Sequence, residues 1–146
     1  MKVFLGADHG GLELKNEIKR YLKGKGIEHK DLGTYSSDSC DYPDFALKVA
    51  KQVVENAGSA GILVCGTGIG MCMAANKVKG IRAALCTNEY MARMAREHNN
   101  ANILCLGARV LGKETALKIV ETFLNTSFTA EERHKKRVEK IMEIEG

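Results

Sequence analysis

A chain of 146 residues, 45% hydrophobic and 27% charged, suits one domain spanning 1–146 whose folding hides roughly two-thirds of the unfolded surface, and its composition excludes a disordered or collagen-like polymer. Twenty-two Lys and Arg against 18 Asp and Glu leave a formal charge of +4 without a basic tract, which fits small anions and argues against nucleic acid as a partner. No apolar run reaches the ~18 residues of a membrane span, and the opening MKVFLGADHGG meets Gly6 and Asp8 too early for a secretory signal, so no membrane partner and a cytoplasmic location are expected.

Lys2 to Ala7 is a short apolar run, predicted as a strand, that ends in Asp8-His9-Gly10-Gly11. Leu12, Leu14, Ile18, Tyr21 and Leu22 then recur at helical spacing until Gly24 and Gly26 stop them. Ile27 to Gly33 reads as a second strand, and a polar stretch leads to Tyr42-Pro43, where Pro suits the first turn of a helix ending at Gly58. Ala60 to Cys65 is continuously apolar with β-branched members, as a strand buried on both faces requires, and it runs into Gly66-Thr67-Gly68-Ile69-Gly70 before a helix over Met71 to Lys77. Strand Ile81 to Cys86, helix Glu89 to His98, strand Asn102 to Leu106, helix Lys113 to Leu124 and a charged helix from about Ala130 to Ile144 complete the alternation.

Strands separated by helices need right-handed crossovers, so the chain is predicted to form a three-layer α/β/α Rossmann-like domain with a five-stranded parallel sheet and a C-terminal helix. Ligands in such sheets sit beyond the carboxyl ends of the strands, where crossovers diverge. A strand order beginning 2-1-3 would bring Asp8-His9 beside Cys65 to Gly70.

The five cysteines, at 40, 65, 72, 86 and 105, show neither CxxC nor zinc-ligand spacing and read as free thiols, with no metal site. Cys65 is the exception in context: a thiol at a strand end, followed by three glycines whose backbone can approach an oxygen-rich ligand, is placed to serve as a base. GxGxG lacks the spacing of a dinucleotide fingerprint, no GxxxxGKS/T occurs, and no cofactor is expected. Cys72, Cys86 and Cys105 are expected to pack in apolar surroundings. His9 and His98 lie at loops predicted to reach a strand-end pocket, whereas His29 and His134 carry no comparable context. Arg133 and Arg137, four apart, present two guanidinium forks on one helix face, although Glu131, Glu132, Lys135 and Lys136 make a solvated face the better reading of spacing alone. Arg109 follows the fifth strand, on the pocket side.

Together, Gly6-Ala-Asp-His-Gly-Gly11, Asp41-Tyr-Pro-Asp44, Cys65-Gly-Thr-Gly-Ile-Gly70, Ala74-Ala-Asn-Lys77, Gly80-Ile-Arg-Ala83 and His98-Asn-Asn100 resemble the type B ribose-5-phosphate isomerases across essentially the whole chain. The resemblance implies metal-independent interconversion of ribose 5-phosphate and ribulose 5-phosphate through an enediolate, with Cys65 as base and Thr67 and His98 assisting ring opening. It implies that the backbone of Gly66, Gly68, Ile69 and Gly70 holds the enediolate oxygen and that Asp8, Tyr42 and Asn99 contact the sugar. His9, Arg109, Arg133 and Arg137 would hold the phosphate. One branch of the family uses a glutamate where Met71 stands; Met accepts no proton, which places this chain in the thiol branch. A homodimer, in some members a tetramer, with active sites shared between subunits is also implied. A six-carbon or unphosphorylated sugar, or a non-catalytic sugar-phosphate-binding module, remain the alternative readings.

Overall fold

The computed structural model describes residues 1–146. Its elements are β1 (Val3–Ala7), a 3-10 turn (His9–Gly11), α1 (Leu12–Gly24), β2 (His29–Asp31), α2 (Tyr42–Glu55), β3 (Ala60–Cys65), α3 (Ile69–Ala75), β4 (Ala83–Leu85), α4 (Glu89–Glu97), β5 (Ile103–Gly107), α5 (Lys113–Asn125) and α6 (Glu132–Glu143). All pairings are parallel, and the order is β2-β1-β3-β5-β4. The predicted architecture and the 2-1-3 start are what the chain adopts.

The central strands are buried along their whole length because helices cover both faces. Alternation divides their side chains between two cores. Val3, Leu5, Ile62, Val64, Leu104 and Leu106 meet Ile18, Leu22, Ile119 and Phe123 on one face. Phe4, Leu63, Ile103 and Cys105 meet Val49, Val53, Met71 and Ala75 on the other. Each fully buried aliphatic or Phe side chain contributes roughly 1.5–3 kcal/mol, which is ample to align three central strands in a largely aliphatic core.

The two edge strands are shorter than predicted. Beyond Asp31 the β2 segment still bonds to β1, with Leu32 N donating to Leu5 O at 2.8 Å and Thr34 N to Ala7 O at 2.7 Å. The Asp31 carboxylate meanwhile accepts the Gly33 amide and bends the backbone out of the regular ladder. Lys15, fully buried, donates to Asp31 Oδ1 and to Thr34 O, both at 2.6 Å, and Lys19 adds a second ammonium 2.8 Å from Asp31 Oδ2. This buried pair ties α1 to the loop after β2. At the other edge β4 is lined by a side chain rather than a strand: Asn76 Oδ1 accepts from Ala83 N at 2.8 Å and Asn76 Nδ2 donates to Ala83 O at 3.0 Å.

The chain leaves β1 toward β2 and leaves β3 toward β5 and β4, so the crossovers diverge between β1 and β3. Asp8 N donating to Val64 O at 3.3 Å closes that gap. Every helix after a strand runs back along the sheet, so α4, nine residues long and roughly 13 Å from end to end, finishes at the amino edge. The segment entering α6 is tied there by Thr129 N and Oγ1 on Glu97 O at 3.2 and 3.1 Å. The far end is held by Glu145, whose carboxylate accepts the Gly80 amide, and by Arg82 Nη1 beside Met142 Sδ.

Candidate active site

Cys65 ends β3 and is 5% exposed. The turn that follows folds back on it, and Gly68 N donates to Cys65 Sγ at 3.1 Å. That approach needs glycine at 68, where φ is +79° and an added Cβ would lie 2.6 Å from Leu85 Cδ1 and 2.8 Å from Leu106 C. Thr67, exposed, uses Oγ1 to accept the Ile69 amide at 3.3 Å. Two of the turn's amides are therefore committed to its own sulfur and hydroxyl. The N–H groups of Gly66, Thr67, Gly70 and Met71 find no acceptor within the chain, so the cradle offers free donors at both ends of the turn rather than along all five residues from 66 to 70.

Asp8, buried, uses Oδ1 to accept the Gly11 amide at 3.2 Å and starts the 3-10 turn that carries His9. Cys40 N donates to His9 Nδ1 at 3.2 Å. That bond assigns the lone pair to Nδ1 and the proton of the neutral ring to Nε2, leaving a donor free for an anion. Arg109 lies over both loops: a methyl added at Gly66 would meet its Nη1 at 3.0 Å, and one at Gly10 its Nη2 at 3.4 Å. The ring of Tyr42, first residue of α2, covers Gly70 so closely that a Cβ there would be 2.5 Å from Cε1. Asp8, His9, Tyr42, Cys65, Thr67, Gly66 to Gly70 and Arg109 thus assemble at the carboxyl edge, as the strand order predicts. A cavity of about 760 Å³ opens from His9, Gly10 and Arg109 over Glu13, Arg20 and Lys113. It runs along α1, and Cys65 does not line it.

His98, Asn99, Arg133 and Arg137 do not join them. His98 caps the C-terminus of α4 and Asn99 follows, so both stand at the amino edge of the sheet, not in the pocket beside Cys65 that their loop position had suggested. The helix between them and β4 is the reason, because it carries the chain back down the sheet. Arg133 and Arg137, both exposed, stand on α6 beside them. Arg82 fixes the turn between, its Nε donating to Asn100 O at 2.7 Å and its backbone N to Asn102 Oδ1 at 2.8 Å.

Two residues belong to this description that sequence reasoning set aside. His134 is buried, and its ring stacks on that of His98 with centroids 4.1 Å apart and planes 12° from parallel. The spacing of His134 and Val138, four apart on α6, was the available signal, since it places both on one inward face. Cys72 is more than packing: a bond from the buried Cys105 thiol brings its pKa down to about 7, against burial, with help from the Leu85 backbone and Asn76. Burial raises Cys86 to about 12, and Cys105 is raised by its bond to Cys72 and by burial. All five cysteines are unpaired, and no three His, Cys, Asp or Glu side chains are grouped to hold a metal ion. No helix is long and apolar enough to cross a membrane.

Comparison with known proteins follows the same lines. The family model described as Ribose/Galactose Isomerase matches residues 3–141. A ribose-5-phosphate isomerase B of Escherichia coli is 45% identical over 144 residues, covering 99% of this chain and 96% of that protein. The structure of Clostridium thermocellum ribose-5-phosphate isomerase B superposes with a TM-score of 0.97 at 57% identity, over 99% of this chain and 97% of that one. That of the Mycoplasma genitalium enzyme with bound ribulose-5-phosphate gives 0.95 at 47% identity, over 99% and 95%.

Proposed function

The chain belongs to the ribose/galactose isomerase family, and from that premise we infer that it is an aldose-ketose isomerase interconverting ribose 5-phosphate and ribulose 5-phosphate. The observation that carries the chemistry is the Cys65 sulfur at the end of β3, with the Gly68 amide on it and unbonded amides at both ends of the turn. We assign Cys65 as the base. Its thiolate takes the proton from C2 of the opened aldose, the C2–H electron pair becomes the C1–C2 double bond, and negative charge moves to the C1 oxygen. The free amides of the turn are placed to hold that oxygen as charge develops, without reorganising. Return of that proton to C1, with the C2 hydroxyl proton passing to the C1 oxygen as the C2 carbonyl forms, gives the ketose. No co-reactant is consumed, because the oxidation at C2 matches the reduction at C1.

Thr67 and His98 are assigned to ring opening, Asp8, Tyr42 and Asn99 to the sugar, and His9, Arg109, Arg133 and Arg137 to the phosphate. Since one chain holds these residues at opposite edges of its sheet, the working unit is taken to be a homodimer in which the amino edge of one protomer completes the carboxyl edge of its partner. Residues 1–146 act as one isomerase domain, and its five free thiols suit a reducing cytoplasm. The test is to incubate the protein with ribose 5-phosphate in a chelator and follow ketose formation and exchange of the C2 hydrogen with solvent. Both are expected. Saturable binding with neither would overturn the reading.

A further inference from the structure

Helix α6 is charged on most of its surface, yet it turns His134 and Val138 inward. His134 has two partners. One is the ring of His98, held face to face at 4.1 Å. The other is Arg133, whose Nε donates to His134 Nε2 at 3.3 Å. Nε2 therefore presents its lone pair, and the proton of the ring sits on Nδ1. The charged and titratable groups that face His134 are His98 at the end of α4, and Glu131, Arg133 and Arg137 on α6 itself. Burial, His98 and the two guanidinium groups together outweigh the Glu131 carboxylate and lower its pKa.

We propose that His134 is a positioning residue for ring opening: through its stack on His98 and its bond to Arg133, it fixes the plane of the ring-opening imidazole and the direction of a phosphate-binding guanidinium as one unit. A proton moving onto His98 then meets the π-face of an uncharged ring, where a second imidazolium would repel it. Arg133 is presented by the same ring, so the group that works on the furanose oxygen and a group that grips the phosphate keep a constant separation. This rests on the isomerase reading above and adds to it a residue that touches neither substrate nor base.

The two contacts can be removed separately. His134→Phe keeps a flat ring against His98 and removes the acceptor for Arg133; His134→Asn keeps an acceptor and removes the stack. Two reactions of each variant are compared. Turnover of ribose 5-phosphate needs its ring opened. Entry of solvent deuterium at C1 of ribulose 5-phosphate does not, because the phosphate on O5 prevents that ketose from closing a five-membered ring. His134→Asn is expected to lower kcat for ribose 5-phosphate on the order of ten- to a hundred-fold, the loss typical of a displaced catalytic group, while deuterium entry stays near wild type. His134→Phe is expected to keep kcat and raise KM.

Unchanged kcat and KM in both variants would overturn the inference, as would an equal fall of turnover and deuterium entry, which is what general loosening of the fold produces. His98→Asn separates this inference from its premise. If that variant loses ring opening alone and His134→Asn does not, only the role of His134 falls. If it loses both reactions equally, the ring-opening assignment falls and takes the role of His134 with it.

Discussion

The two edges of the sheet differ in how they are built. At the carboxyl edge three of the candidate residues are held by backbone amides of the loops there: Gly68 N on Cys65, Cys40 N on His9, Gly11 N on Asp8. At the amino edge the candidate residues contact one another, His98 stacked on His134 and His134 bonded to Arg133. The carboxyl edge follows from the fold, since strand order and crossovers alone bring its loops together. The amino edge follows from a single helix packed across it, and its groups face outward with nothing of their own chain to act on. The proposed pairing of the two edges in a dimer rests on this difference.

The largest effect expected is on the base. Cys65→Ala should lower kcat on the order of 10²- to 10⁴-fold, the usual contribution of general acid-base catalysis, with an unchanged unfolding transition because the sulfur fills little volume. Steady-state turnover and thermal melts would check it, and a fully active variant would remove Cys65 from the mechanism.

Pairing of the edges can be tested by mixing. A Cys65→Ala chain and a His98→Asn chain are each expected to be nearly inactive. Refolded together, about half of the dimers would carry one site with both defects and one with neither, restoring about a quarter of wild-type activity if association is random. If each chain completed its own site, every site would stay defective and mixing would recover nothing.

The phosphate contacts sharpen the same comparison. Arg109 stands at the carboxyl edge and Arg137 at the amino edge, and replacing either by Ala is expected to raise KM about ten- to a hundred-fold, corresponding to the roughly 1.5–3 kcal/mol of one charge-assisted hydrogen bond. Competition by inorganic phosphate should weaken in parallel in both variants. A change confined to Arg109→Ala would leave the amino edge outside the phosphate site.

The sequence reveals the carboxyl edge more readily than the amino edge, for a physical reason. Continuous apolar runs such as Ala60 to Cys65, followed by glycines, announce a buried strand and the turn beyond it, and strand order then does the rest. Edge strands are legible only in part, because Asp31 and Asn76 replace ladder bonds with side-chain bonds that no periodicity reports. His98 was recognisable as a loop residue, but its edge depended on the direction in which α4 runs. The arginine pair had looked like a solvated face, and in this chain it is indeed exposed; only the stack beneath it separates it from other charged helices. The thiol of Cys72 became visible only once Cys105 was known to lie against it.

The smallest effect expected is on stability in mild acid, and it also separates the edges. His134 has a folded pKa below its ordinary 6.5, chiefly through burial, so as pH falls through 6.5 the unfolded chain takes up a proton that the folded chain resists. The unfolded state then binds more protons, and stability declines with falling pH. At the carboxyl edge burial pushes the Asp31 carboxyl up, but the bonds from Lys15, Lys19 and Gly33 more than reverse it, to below 3.8. That group gives up its contribution only in stronger acid. Between pH 7.5 and about pH 5.5, wild type should therefore lose more Tm than His134→Phe, which cannot take up the proton at position 134. Parallel declines in the two proteins would show that the stacked ring titrates as freely in the folded chain as in the unfolded one.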